Sequence, residues 1–161
     1  MHTSITRVAV AVAAAAMLSG LGVSGAGASG AATQAPALAA SHTAAVPGAQ
    51  LWVKRYNGPS NLGDGAFSVA VSPTGDRVFV TGSSDGRTKY HWATVAYDST
   101  TGAWLWIKRY DGRWPKSVAV SPDGNKVFVT GDGATVAYNA ATGTQLWAQP
   151  YSDNAFSVAA L

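Results

Sequence analysis

Three groups of residues in this 161-residue chain have types that could do chemistry. Gly82-Ser83-Ser84-Asp85-Gly86 spells Gly-x-Ser-x-Gly, the string that hydrolases use to hold a nucleophilic serine on a strand–turn–helix elbow. Here the next stretch has strand character, and His91 follows Ser84 by only seven residues. The corresponding place later in the chain, Thr130-Gly131-Asp132-Gly133, has no serine. The string therefore reads as a turn. A metal centre is no better supplied. His42 and His91 are the histidines left once the extreme N-terminus is set aside, and there is no cysteine and no glutamate to complete a zinc set. Asp85-Gly86 and Asp132-Gly133 lack the alternating carboxylates of a calcium loop and read as Asx turns. The expectation is a non-catalytic chain with no catalytic residue, no cofactor and no metal site.

The third group is a recognition surface. Arg87, Lys89, Tyr90, His91 and Trp92 lie together in one loop over Ser83–Trp92. Aromatic and cationic side chains on a loop held by a rigid scaffold suit a protein or carbohydrate ligand. Trp104 and Trp114 fit either the same surface or packing. Lys54-Arg55 and Lys108-Arg109 stand beside Tyr56 and Tyr110, a mixture that single-stranded nucleic acid could use. The net charge of +3 is small and dispersed, and the third such place reads Ala148-Gln149. These residues read as a solvated strand edge that resists pairing, with no nucleic acid partner.

Composition divides the chain at Gln50. All the aromatic residues follow it, and the first fifty residues carry a single charge, Arg7. A short basic start, the apolar run Val8–Leu18 and small residues after it are the order of a Sec-type signal peptide over residues 1–28. Ala26-Gly27-Ala28 and Ala37-Leu38-Ala39 both fit the cleavage rule, so cleavage after residue 39 is the alternative. The run is short for a membrane span. The expectation is an exported, extracellular protein without a span after cleavage. Residues 29–50, rich in Ala, Ser and Pro, form a flexible leader.

Residues 51–161 are a repeat. Leu51–Tyr56 (LWVKRY) returns as Leu105–Tyr110 (LWIKRY) and Leu146–Tyr151 (LWAQPY). Ser68–Pro73, Val78–Gly82 and Ala93–Tyr97 return as Ser117–Pro122, Val127–Gly131 and Ala134–Tyr138. The period is 54 residues and then 41. The difference sits in two insertions, within Asn57–Ala66 and Ser83–Trp92, which marks a fixed scaffold with variable loops. Each unit holds four short β-branched or aromatic runs. Ser-Pro-x-Gly turns separate the first two, and Asp98–Gly102 or Asn139–Gly143 precedes the fourth. Four strands in about 41 residues is the blade of a β-propeller. The fold class is all-β, a partial propeller: one blade over residues 67–110, one over 116–151, a lone fourth strand at 51–56 and the start of a third blade at 155–161.

The pattern VFVTG…ATVAYD..TG..LW resembles the pyrroloquinoline-quinone-like (PQQ-like) repeats of the quinoprotein alcohol dehydrogenase-like superfamily in secreted bacterial proteins. SVAVSPDG..VFVTG also resembles YVTN and WD40-like repeats. The resemblance implies that Trp52, Trp106 and Trp147 pack between adjacent blades. A dehydrogenase of that superfamily is expected to carry calcium ligands and a vicinal cysteine pair, and this chain has neither Glu nor Cys. The expected function is a binding or scaffold surface. The alternatives are a fragment of a quinone-dependent dehydrogenase and a truncated remnant without function. Two blades are fewer than a ring needs, so self-association to complete the ring and a stand-alone pair of blades both remain open.

Overall fold

A computed structural model of the chain describes residues 8–11 and 48–160. The signal-peptide and leader assignments lie outside the described residues, apart from Val8–Ala11 and Gly48–Gln50. Val8–Ala11 (β1) pairs antiparallel with Val53–Tyr56 (β2), Val8 opposite Tyr56. Among the described residues no helix is long and apolar enough to cross a membrane.

The first blade is a four-stranded antiparallel meander of β3 (Asp64–Val71), β4 (Arg77–Asp85), β5 (Tyr90–Asp98) and β6 (Trp104–Asp111). The second has β7 (Pro115–Val120), β8 (Lys126–Asn139) and β9 (Gln145–Asn154). The sequence leads one to expect four runs there, and β8 contains two of them. Its first half pairs with β7 and its second half with β9. A straight strand would hold Thr130 and Thr135 roughly 17 Å apart. Their hydroxyls are 2.8 Å apart, so β8 doubles back on itself. Thr81 and Thr94 face each other in the same way across β4 and β5, at 3.2 Å. The reversal falls on Asp132-Gly133, where Gly133 adopts φ +84°, a left-handed conformation that glycine enters without steric cost.

The turns repeat as closely as the strands. Gly75 and Gly124 donate back to the carbonyls of Ser72 and Ser121, at 2.9 and 2.8 Å. Each buried serine hydroxyl then accepts a backbone N–H five residues on, from Arg77 and Lys126. Asp98 and Asn139 each accept, on one side-chain oxygen, the backbone N–H groups of the residues two and three positions on. A β-bulge at Phe67 and another at Lys116 occupy one repeat position. Opposite each bulge the backbone of the first strand presses on Gly82 or Gly131, and a Cβ there would strike main-chain atoms. That contact is why the second run ends in Thr-Gly.

Two clusters make the core. Phe79, Trp92, Ala96 and Trp106 of the first blade close on Val118, Val127, Val129, Val136 and Tyr138 of the second. On the other side of the first blade, Trp52 of the entering chain covers Val78, Val80, Val95 and Tyr97, with Tyr56 packed alongside. Each tryptophan is latched in the same way. Trp52 Nε1 donates to Ser99 O at 2.8 Å, and Trp106 Nε1 donates to Ala140 O at 2.9 Å. The rings lie flat on Gly102 and Gly143, where a Cβ would come within 2.6 and 2.7 Å of ring carbons. Residues Ala155–Ala160, expected to open a third blade, form no strand, and Val158–Ala160 line a groove with Phe128 and Trp147.

Candidate binding face at the insertion end

The two insertions meet. Asp85 N–H donates to Gly63 O at 3.0 Å, and Gly58 N–H donates to the buried Asp64 carboxylate at 2.8 Å. Gly58 sits directly on the Ser84 hydroxyl and Asp64. The second insertion departs from the expected loop over Ser83–Trp92. It lengthens a hairpin: β4 runs to Asp85 and β5 begins at Tyr90, in register Asp85 with Tyr90. Only Gly86–Lys89 is a turn, closed by Gly86 N–H to Lys89 O at 2.9 Å.

This extension sorts the five expected ligand residues. Arg87 and Lys89 are exposed on the turn, and Tyr90 and His91 are half-buried at the start of β5. Trp92 is a correction. It is 1% exposed, packs on Tyr110 with ring centroids 5.3 Å apart, and belongs to the seam between the blades. Its strand position turns it away from the turn and onto the second blade, so it is a core residue.

Residues that composition did not single out complete the face. Asp111, at the end of β6, accepts Lys89 Nζ at 2.6 Å on one oxygen and faces His91 Nδ1 at 2.9 Å on the other. The Lys89 hydrogen bond chiefly holds the Asp111 carboxyl below its ordinary pKa, with the charges of Lys89 and His91 adding to it. Trp114 is half-buried between Tyr90, at 5.3 Å, and the bulged Phe67, at 6.0 Å. Asp132 donates its N–H to Trp114 O and pairs with Lys116 at 3.5 Å. Arg87 and Arg113 are exposed, and neither forms an ion pair among the described residues. The face thus holds an aromatic shelf of Tyr90, Trp114 and Phe67, with exposed Arg87 in the adjoining turn and exposed Arg113 next to Trp114 in the chain. Trp104 is exposed at the start of β6, whose far end carries Asp111, and takes no part.

The nucleophile string gains an unexpected neighbour. Hairpin register places Ser84 opposite His91, and His91 opposite Asp111, so serine, imidazole and carboxylate form a row across three strands. A spacing of seven residues is what a tight hairpin requires for such a pair. The Ser84 hydroxyl nevertheless is fully buried beneath Gly58 and has no hydrogen-bond partner, while His91 Nε2 lies toward Gly86. Activation of a serine requires a base within hydrogen-bond reach, and this row does not supply one.

The residues also do not fit a quinone–calcium centre. The indoles of Trp52 and Trp106 are pressed on glycine backbone, without room for a stacked ring. Among the described residues no three His, Cys, Asp or Glu side chains are grouped to hold a metal ion.

Comparison with known proteins gives the fold a family. The PQQ_2 family model, described as outer membrane protein assembly factor BamB, matches residues 39–159. No curated protein matches the chain. Among solved structures, the β-propeller domain of Cps50 (Swd1) from Myceliophteria thermophila is similar, at 16% identity and a TM-score of 0.48. The match covers 58% of this chain and 27% of that one, so the chain spans about a quarter of its length. With its two latched blades, the chain belongs to the PQQ_2 (BamB) family of PQQ-like β-propeller repeats.

Proposed function

We propose that this chain is an exported, non-catalytic recognition module that binds an acidic polypeptide at its insertion end. The observation that carries the reading is the convergence of both insertions with the Asp111–Trp114 segment. Residues from five separate strands and turns meet there, and the scaffold beneath them repeats without those additions. Arginine and large aromatic residues dominate binding energy at protein interfaces, and Arg87, Arg113, Tyr90 and Trp114 supply both types. Unpaired guanidinium groups favour carboxylates through charge-assisted hydrogen bonds. The family description refers to the assembly of outer membrane proteins, which accords with a polypeptide as the ligand.

The test is an immobilised peptide library of graded acidity, read beside a soluble glycan array. Acidic peptides are expected to bind the chain in a salt-sensitive way. The double variant Arg87→Ala/Arg113→Ala should weaken that binding about tenfold or more, with the melting temperature unchanged. Trp92 stays in place because it belongs to the core. Glycan binding alone, or peptide binding indifferent to both arginines, would sink the proposal.

A further inference from the structure

β6 is the last strand of the first blade's sheet. It bonds to β5, and among the described residues no strand lies along its other edge. The described chain continues from both of its ends. The turn into β6 settles which of its backbone groups point outward. Asp98 N–H donates to Ala103 O at 2.9 Å, so Asp98 and every second residue before it on β5 face β6. Their register partners are Trp106 opposite Ala96, Lys108 opposite Thr94 and Tyr110 opposite Trp92, and these spend their backbone groups on β5. Ile107, Arg109 and Asp111 therefore turn their N–H and C=O groups to the open edge.

The second blade carries the same strand with that edge closed. Asn139 N–H donates to Thr144 O, and the same alternation directs Trp147 and Gln149 to β8 and turns Ala148 and Pro150 outward. Pro150 stands opposite Ala134 as Arg109 stands opposite Ala93. A proline there costs β9 no bond to β8 and removes an outward donor. One repeat position thus holds a blocking residue in one blade and a backbone donor with a cationic side chain in the other.

The side chains decide what kind of strand fits. Successive residues of a strand point to opposite faces. Lys108 lies toward the Asn139–Gly143 turn, with its Cε close to Gly143, and Arg109 lies on the other face, with its guanidinium near Gly58. Neither forms an ion pair among the described residues. Two copies paired edge to edge would bring these cations together, which keeps β6 from adding to itself. A strand with two consecutive acidic residues meets one cation on each face. Beyond Asp111 the chain passes through Gly112 and Arg113 to Trp114, so the open edge leads to the aromatic shelf.

We propose that β6 receives an extended segment of an acidic polypeptide as a fifth strand of the blade. The segment bonds to the backbone of Ile107, Arg109 and Asp111, and an adjacent pair of its carboxylates meets Lys108 and Arg109. This rests on the function proposed above for the ligand's acidity, and it adds the place and the conformation in which the ligand is held.

The probe is a short fluorescein-labelled peptide of Thr and Val around a central Glu-Glu pair, offered to the full-length chain in fluorescence anisotropy. It should bind saturably, and a Lys-Lys version should not. Arg109→Pro copies Pro150 and should weaken binding about tenfold or more with the melting temperature kept, because it removes a backbone donor and sets a ring in the ligand's path. Arg109→Ala keeps the N–H and should weaken binding less. Two further peptides, N-methylated at alternate residues in opposite phase, make the answer independent of how Arg109→Pro folds: one phase should bind and the other should not. Bound peptide should also slow hydrogen exchange at the Ile107, Arg109 and Asp111 amides. Equal binding of both phases, Arg109→Pro no worse than Arg109→Ala, or no saturable binding at all would overturn the proposal. Full-length dimers that Arg109→Pro dissolves would overturn it by naming a second copy as the occupant. If this probe fails while library peptides still depend on Arg87 and Arg113, the added strand falls and the shelf stands. If one phase binds while library peptides ignore both arginines, the shelf falls and the added strand stands.

Discussion

Val69 and Val118 occupy the same position in two nearly identical Ser-Val-Ala-Val runs, yet Val69 is 56% exposed and Val118 is 6% exposed. Both face the side of their blade that points back along the chain. Behind Val118 stands the first blade, whose Ala70 packs against the shared core and whose Ser68 accepts the Val118 N–H at 3.1 Å. On the Val69 side, the described residues are the short β1–β2 pair and Trp52 before it, and Trp52 packs on Val78 and Val80 while Val69 stays exposed. Burial in this fold is therefore a property of the seam between units. A residue's own sequence neighbourhood prepares it for burial, and the adjoining unit delivers it.

The sharpest way to break that comparison is at the tryptophans. Trp106→Ala should cost about 3–5 kcal/mol in chemical denaturation, because it empties the closed seam. Trp147→Ala in the isolated chain should cost less than about 1 kcal/mol, in the range of a surface substitution. Equal losses would mean that the two tryptophans are buried alike. Gly143→Ala comes next. It drives a Cβ into the Trp106 ring and places alanine at φ +69°, a combination expected to cost about 2–3 kcal/mol. A melting temperature equal to that of wild type would show that the latch does not close. The valine pair should differ by less: about 1–2 kcal/mol for Val118→Ala and a few tenths for Val69→Ala, following the apolar area each removes from the interior. The smallest effect lies at the turns. Asp123 is held down to about 2, first by the Ser121 hydroxyl and then by the backbone and side-chain amides of Asn125, and Asp76 is lowered chiefly by Ser72. Carboxyls lowered in this way stabilise the fold above the ordinary value of 3.8, and the contribution fades as pH falls toward about 2. Asp123→Asn should lower the melting temperature slightly near neutrality and flatten its acid decline. A decline identical to that of wild type would remove this turn from the acid response.

What could be read in the sequence and what could not divide along the same line. The strands, the Ser-Pro-x-Gly turns and the Asx turns announce themselves because each is decided within five or six residues. The blade architecture follows from repeating them. Trp92 reads as a loop residue in the sequence because its packing partners on the second blade lie some tens of residues away, and nothing local marks it as a seam residue. The polar, glycine-bearing stretch Ser83–Tyr90 has the composition of a loop, yet it continues a hairpin whose register is set by strands already paired. Asp111 and Phe67 join the candidate face through tertiary placement alone. The Ser84–His91 pairing was legible in principle, since residues whose numbers sum alike across a tight hairpin stand opposite each other.

The latch has a consequence for ancestry. Each repeat carries a tryptophan at the position from which Trp52 and Trp106 enter the following unit, and a glycine turn that receives the tryptophan before it. A stretch of DNA encoding one period, wherever it is cut, encodes a complete joint. Tandem duplication therefore adds a unit that fits its parent at once, and deletion removes one without orphaning any joint except at the new boundary. The insertions at Asn57–Ala66 and Ser83–Trp92 stand apart from both halves of the joint, so lineages can lengthen them while the unit remains copyable.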